Sequence, residues 1–312
     1  MKSLADPAPP APASWLAGYI PDIPTPFDDS GAVDLRVFAG LCERQITAGV
    51  PAIVVCETAG EASTLTPSER ETIIGAAVET AQGRARVIAG AGSNATSRAI
   101  ELTRQAAALG ADAVLSVVPY YNKPMQTGIE AHFRAIADST TLPIILHDIP
   151  SRTIRELADD TIVRLAGSRR FAGLRDGTGD VARLLRLRPR LPTRFRLLSG
   201  DDATALAFLA CGGDGAISTI ANVAPDLCRV IFSSGRQGRW QCARYLQKRL
   251  VPLTTCLARE NPAALKYALS LLGMIRADTR LPLAQLDDAA KADVERAMAF
   301  IADEALVDAV EA

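Results

Sequence analysis

Between residues 18 and 218 short unbroken apolar runs alternate with longer amphipathic stretches, a pattern that predicts eight strands separated by helices. The runs span residues 18–20, 52–55, 86–89, 113–118, 143–146, 171–174, 195–198 and 215–218. Apolar runs of that length suit strands buried on both faces, and the intervening stretches are long enough for crossover helices. The best-marked helix start is at Thr66, which can cap, followed by Pro67 in the first turn and by Glu69 three residues on, as a capping box requires. Strand and helix repeated eight times imply an α/β fold of the (β/α)8 TIM-barrel kind, with a doubly wound open sheet as the alternative. After Pro225 the strand-like runs stop and helical periodicity continues, broken at Asn261-Pro262 and Leu281-Pro282, which predicts a C-terminal helical extension. The expected organisation is a loose Pro/Ala-rich arm over residues 1–16, a barrel over 17–234 and a helical region over 235–312.

Composition narrows the class. With 48% apolar and 22% charged residues in a chain of 312, there is material for a large core and little sign of disorder. A formal net charge of −1 removes any general attraction to nucleic acid or anionic membrane, and the arginines from Arg183 to Arg196 read more simply as a solvated helix and strand edge. The six cysteines form no C-x-x-C pair and do not cluster with His132 or His147, so neither a metal site nor a disulfide framework is expected. Free thiols, the lack of a long apolar run and the lack of a signal-like start point to a cytoplasmic protein without metal, membrane or nucleic-acid partner.

In such barrels the active site forms at the C-terminal ends of the strands, and those positions are polar and glycine-rich here. Strand two runs into Glu57-Thr58-Ala59-Gly60-Glu61, strand four into Pro119-Tyr120-Tyr121-Asn122, strand five into His147-Asp148-Ile149-Pro150-Ser151-Arg152 and strand six into Arg175-Asp176-Gly177-Thr178-Gly179. The Thr58-Ala59-Gly60 turn serves equally as a helix-capping turn or as a cradle of amides and a hydroxyl for a carboxylate. His147 is a structural or an acid–base histidine, whereas His132, in a helical stretch, reads as solvated. Arg152 is either a surface ion-pair residue or a bidentate carboxylate clamp.

Taken in order, these motifs resemble the dihydrodipicolinate synthase and N-acetylneuraminate lyase family from about residue 19 to residue 301. The resemblance is carried by Pro24-Thr25-Pro26-Phe27, Thr58-Ala59-Gly60-Glu61, Ala89-Gly90-Ala91-Gly92, Pro119-Tyr120-Tyr121-Asn122, Ile149-Pro150-Ser151-Arg152-Thr153 and Leu198-Ser199-Gly200-Asp201-Asp202. The Pro-Ser-Arg-Thr version points to the dihydrodipicolinate synthase branch. The resemblance implies a site for pyruvate or another 2-oxo acid, needing no metal or organic cofactor, in a homotetramer built as a dimer of dimers. In it Thr58 relays protons, Tyr121 enters a neighbouring subunit's site, Arg152 receives the second substrate's carboxylate, and Ala59, Gly60 and Ile217 line the substrate pocket.

The resemblance also implies a break. The family's strand six carries a lysine that forms a Schiff base with pyruvate, and Arg175 stands at that place. A guanidinium keeps its proton and delocalises its lone pair, so it cannot replace an amine nucleophile. Of the five lysines only Lys123 is expected near the barrel mouth. His147 stands where the relay would have a tyrosine, Ala59 where it would have a second threonine, and Arg98 where lysine-sensing relatives place an acidic residue. Arg175, His147, Thr58 and Tyr121 are therefore the expected catalytic residues of a carbon–carbon or carbon–oxygen lyase that works without an imine, Arg175 stabilising an enolate. The alternatives are a non-catalytic carboxylic-acid-binding pseudoenzyme with a structural or regulatory role, and 4-hydroxy-tetrahydrodipicolinate synthase activity.

Overall fold

The computed structural model describes residues 14–302, so most of the expected arm, residues 1–13, lies outside the described residues, as do residues 303–312. Eight parallel strands form one sheet: β1 (Gly18–Pro21), β2 (Ala52–Val55), β3 (Arg86–Gly90), β4 (Ala113–Val117), β5 (Ile144–Asp148), β6 (Phe171–Asp176), β7 (Arg196–Ser199) and β8 (Gly215–Ser218). Their hydrogen-bonded order, β1-β8-β7-β6-β5-β4-β3-β2, leaves β1 and β2 at the ends of the sheet. The ring is closed there by a bridge between Asp22 and Val54, where the Ile23 amide donates to the Val54 carbonyl at 2.8 Å. This is the (β/α)8 barrel that the spacing of apolar runs predicts.

Two apolar layers follow from the alternation of side chains along the strands. Inward residues Ile20, Val54, Ile88, Leu115, Ile145, Leu198 and Ile217 fill the barrel, while their outward neighbours pack against the helical shell. Leu16, at the end of the expected arm, is also fully buried in the inner layer. Thr66 caps the helix Pro67–Ala81 with a complete capping box. The helix Pro225–Arg236 completes the shell, and the extension consists of the helices Trp240–Glu260, Ala263–Leu271 and Asp288–Ala302.

The extension is tied to the mouth side of the barrel by buried charge. Lys266 is fully buried, forms an ion pair with Glu61, donates to the Asp278 carbonyl at 2.8 Å and lies 3.9 Å from the centre of the Phe27 ring. Lys266 thus sits on the mouth side of the barrel, near the loops that follow β1 and β2, although Lys123 after β4 is the one lysine expected near the mouth from sequence. His132 is likewise not solvated: it is buried edge-on against Phe133 and its Nδ1 lies 3.0 Å from the Thr96 hydroxyl. Burial pushes its pKa down to about 4. The helix carrying it turns that face onto the neighbouring helix.

Candidate active site

One extra residue in β6 decides what faces the top of the barrel. Ile144 pairs with Phe171 and Ile145 with Gly173, so Ala172 is inserted opposite a single step of β5. A bulge of this kind shifts the alternation by one. Ala172 therefore joins the inner layer, Leu174 the outer one, and Arg175 turns inward. Gly200 leaves room for its stem, since a Cβ there would come within 3.1 Å of Arg175 Cγ.

Arg175 is 4% exposed and meets two carboxylates. Its Nη1 lies 3.1 Å from Asp22 Oδ2 and 3.4 Å from Glu57 Oε2. Asp22 reaches inward from the end of β1, two residues beyond Ile20, and is fully buried. Glu57 follows β2 after Cys56, whose φ of 55° bends the chain. The other Glu57 oxygen, Oε1, lies 3.0 Å from His147 Nδ1 on β5. A carboxylate can only accept, so the imidazole donates from Nδ1, and its Nε2 is buried with no hydrogen-bond partner among the described residues.

Asp22, Arg175, Glu57 and His147 thus form one buried chain of ionic and hydrogen bonds. Burial pushes Asp22 up to about 7, against the pull of Arg175 and with a further push from Glu57. Burial would raise Glu57 as well, but His147, Arg175 and the Thr58 side chain together hold it well below the usual carboxylate range. Burial also outweighs Glu57 at His147 and keeps the imidazole neutral.

The turn after β2 is engaged by the same carboxylates. The Thr58 amide donates to Glu57 and the Ala59 amide to Asp22. The Gly60 carbonyl accepts from Thr25 Oγ1 at 2.7 Å, and Ala59 is fully buried. The cradle expected to hold a substrate carboxylate holds internal ones instead. This is also the difference from an Arg175 free to attract an anion.

Two cavities of about 380 Å³ each open above this network and share Thr58, Ile149 and Arg152. Arg175, Asp202 and Thr219 line one, and Arg70, Arg98 and Tyr120 the other. Arg152 is exposed and donates to the Asn261 carbonyl at 3.1 Å; among the described residues no carboxylate pairs with it. Arg98 is paired with Glu101 at 2.9 Å. No lysine lines either cavity among the described residues: Lys123 is exposed and Lys266 is turned to Glu61.

The expected site residues are therefore divided. Arg175, Thr58 and Arg152 come together at the cavities, and His147 lies directly beneath them. Ile217 is a member of the inner apolar layer. Tyr121, 87% exposed at a φ of 72°, lines neither cavity of its own chain. Sequence reasoning missed Asp22 and Glu57, although a buried arginine demands a carboxylate partner and both stand at strand ends. The arginines from Arg183 to Arg196 form no basic patch. Arg183 is buried, 2.8 Å from Asp148 and 3.4 Å from Asp176, and Arg186, Arg188, Arg190 and Arg196 each pair with an aspartate. Among the described residues no group of three or more His, Cys, Asp or Glu is arranged to hold a metal ion.

Comparison with known proteins agrees with this architecture. The 4-hydroxy-tetrahydrodipicolinate synthase of Laribacter hongkongensis is 46% identical over 288 residues, 91% of this chain and 98% of that protein. The structure of the 4-hydroxy-tetrahydrodipicolinate synthase from Methylacidiphilum fumariolicum superposes with a TM-score of 0.91 at 36% identity, covering 95% of this chain and 98% of the other. The chloride-inhibited dihydrodipicolinate synthase from Acinetobacter baumannii, solved with pyruvate, gives 0.89 at 39% identity over 92% and 99%. The model of the dihydrodipicolinate synthetase family matches residues 15–300, and the chain belongs to that family.

Proposed function

We propose that this protein binds a small carboxylic acid of the 2-oxo acid kind at the barrel mouth and does not form an imine with it. The observation that carries this reading is the pairing of Arg175 with Asp22 and Glu57. A guanidinium has no nucleophilic amine to offer, and no lysine lines the cavities among the described residues. Its charge is also offset within the protein, so an enolate forming beside it would gain little. That weighs against non-covalent lyase or hydratase chemistry driven by Arg175 and favours binding. The ligand's carboxylate is assigned to Arg152, which both cavities share and which pairs with no carboxylate among the described residues. The pyruvate complex of the Acinetobacter baumannii relative supports the ligand class.

A second reading, 4-hydroxy-tetrahydrodipicolinate synthase activity, is favoured by the activity named for the relatives at 46% identity. It requires turnover without an amine at position 175. We further propose a cytoplasmic homo-oligomer, built as a dimer of dimers, whose contacts cover Tyr121 and Met125, which are 87% and 77% exposed on one chain.

Calorimetric titration with pyruvate and 2-oxoglutarate tests binding. Saturable heat that is lost in Arg152→Ala is expected; no heat at millimolar ligand would refute the reading. The purified protein, assayed for 4-hydroxy-tetrahydrodipicolinate formation from pyruvate and a four-carbon amino-acid aldehyde, decides between the two readings, since sustained turnover contradicts the first.

A further inference from the structure

Residue 175 is faced from several sides. Asp22 comes from the end of β1, Glu57 from the turn after β2, His147 from the adjoining position of β5, and Asp202 from the loop after β7. Asp202 is anchored by the Thr219 and Ile220 amides, each at 2.9 Å. Glu57 cannot swing aside, because His147 and the Thr58 amide hold its two oxygens. Asp22 is fully buried and cannot turn to solvent.

We infer that Asp22 and Glu57 lock whatever basic side chain stands at position 175 into its charged form, so that they, and not Arg175 alone, keep this barrel floor from amine chemistry. The inference rests on the reading that no imine forms here. Imine formation requires an amine lone pair to attack the carbonyl carbon, a nitrogen–carbon bond to form and the carbonyl oxygen to leave as water; an ammonium must first give up its proton. An opposite charge within about 4–6 Å favours the charged form by roughly 1–3 pKa units. An ordinary lysine, with a pKa near 10.4, is already neutral in only about one molecule in a thousand near pH 7.5. Beside two fixed carboxylates the neutral fraction falls further. Asp22 and Glu57 are in this sense positioning residues that determine specificity, and exchanging Arg175 for lysine alone does not recover a nucleophile.

The test compares Arg175→Lys with the triple variant Asp22→Asn/Glu57→Gln/Arg175→Lys. Both variants are produced with 13C-labelled lysine, and the side-chain signal absent from the unsubstituted protein is titrated by NMR from pH 6 to 11. The inference expects the single variant's amine to stay protonated beyond the range of an ordinary lysine and the triple variant's midpoint to lie about two units lower. Coincident midpoints would overturn it. With pyruvate and borohydride near pH 8, the triple variant is expected to trap at least about tenfold faster, in keeping with that shift; equal trapping overturns the inference as well. If the triple variant does not fold, Asp22→Asn/Arg175→Lys takes its place: a lowered midpoint with faster trapping supports the inference, and coincident midpoints or equal trapping overturn it. The NMR titration needs no ligand, so it stands or falls separately from carboxylate binding.

Discussion

Replacing Arg175 by methionine keeps most of the side chain's length and removes the guanidinium that faces both Asp22 and Glu57. The side chains of Arg175, Asp22 and Glu57 are 5%, 0% and 9% exposed, so solvent cannot take over the lost contacts. Breaking a buried ion pair from one side costs about 3–5 kcal/mol. The lower end, about 3 kcal/mol, applies here because Asp22, already pushed up to about 7, escapes by taking a proton. At roughly 2 °C per kcal/mol for a chain of this size, the melting temperature falls by about 6 °C near pH 8. The sign of the pH dependence follows from the same group. Without Arg175, Asp22 holds its proton to still higher pH in the folded state, so the variant loses stability faster than the parent as pH rises through 7. The gap therefore narrows on going from pH 8 to pH 5.5, where Asp22 is protonated in both. Circular-dichroism melts at fixed protein concentration measure this. Asp22→Asn/Glu57→Gln/Arg175→Met, which removes all three charges together, is expected to recover to within about 1 kcal/mol of the parent. A shift under about 2 °C in the single variant, or a triple variant less stable than the single one, would refute the network.

Other consequences are independent of that network. His132 carries a pKa depressed to about 4, so its contribution is present above the ordinary 6.5 and is lost as pH falls toward 4; His132→Gln should flatten that part of a stability–pH curve, and an unchanged slope would contradict its burial. Lys266→Met leaves Glu61 buried without its cation and should cost about 3–5 kcal/mol in denaturant titrations, with Glu61→Gln restoring part of it; additivity of the two changes would refute the pairing. Gly90→Ala places a Cβ 2.1 Å from the Cys56 carbonyl oxygen, and loss of folded protein on expression is the expected outcome. Arg183→Met frees Asp148 and Asp176 at the ends of β5 and β6, and a melting temperature lowered by several degrees is expected, where an unchanged one would show the pairing to be dispensable.

The barrel is legible in the sequence because each strand is an apolar run buried on both faces, a signal that needs no partner to be read. The strand limits at β5 and β6 are less so. His147, Asp148, Arg175 and Asp176 are polar and look like loop residues, yet they continue the ladder because each finds a buried ionic partner. Arg175, Thr58 and Arg152 are legible from their places after strands. Asp22 and Glu57 are not, because their role exists only once the ring closes and brings β1, β2 and β6 to a common floor. His132 shows the same limit: one histidine in a helix does not reveal which face its neighbours cover.

The most direct measurement is to incubate the unmodified protein with pyruvate and borohydride, which would deliver hydride to any carbon–nitrogen double bond, and then to weigh the intact chain. An unchanged mass is expected, because Arg175 holds its charge against Asp22 and Glu57 and offers no amine to the cavity. A stable increase equal to one reduced pyruvate, mapped to any residue lining the two cavities, would contradict it.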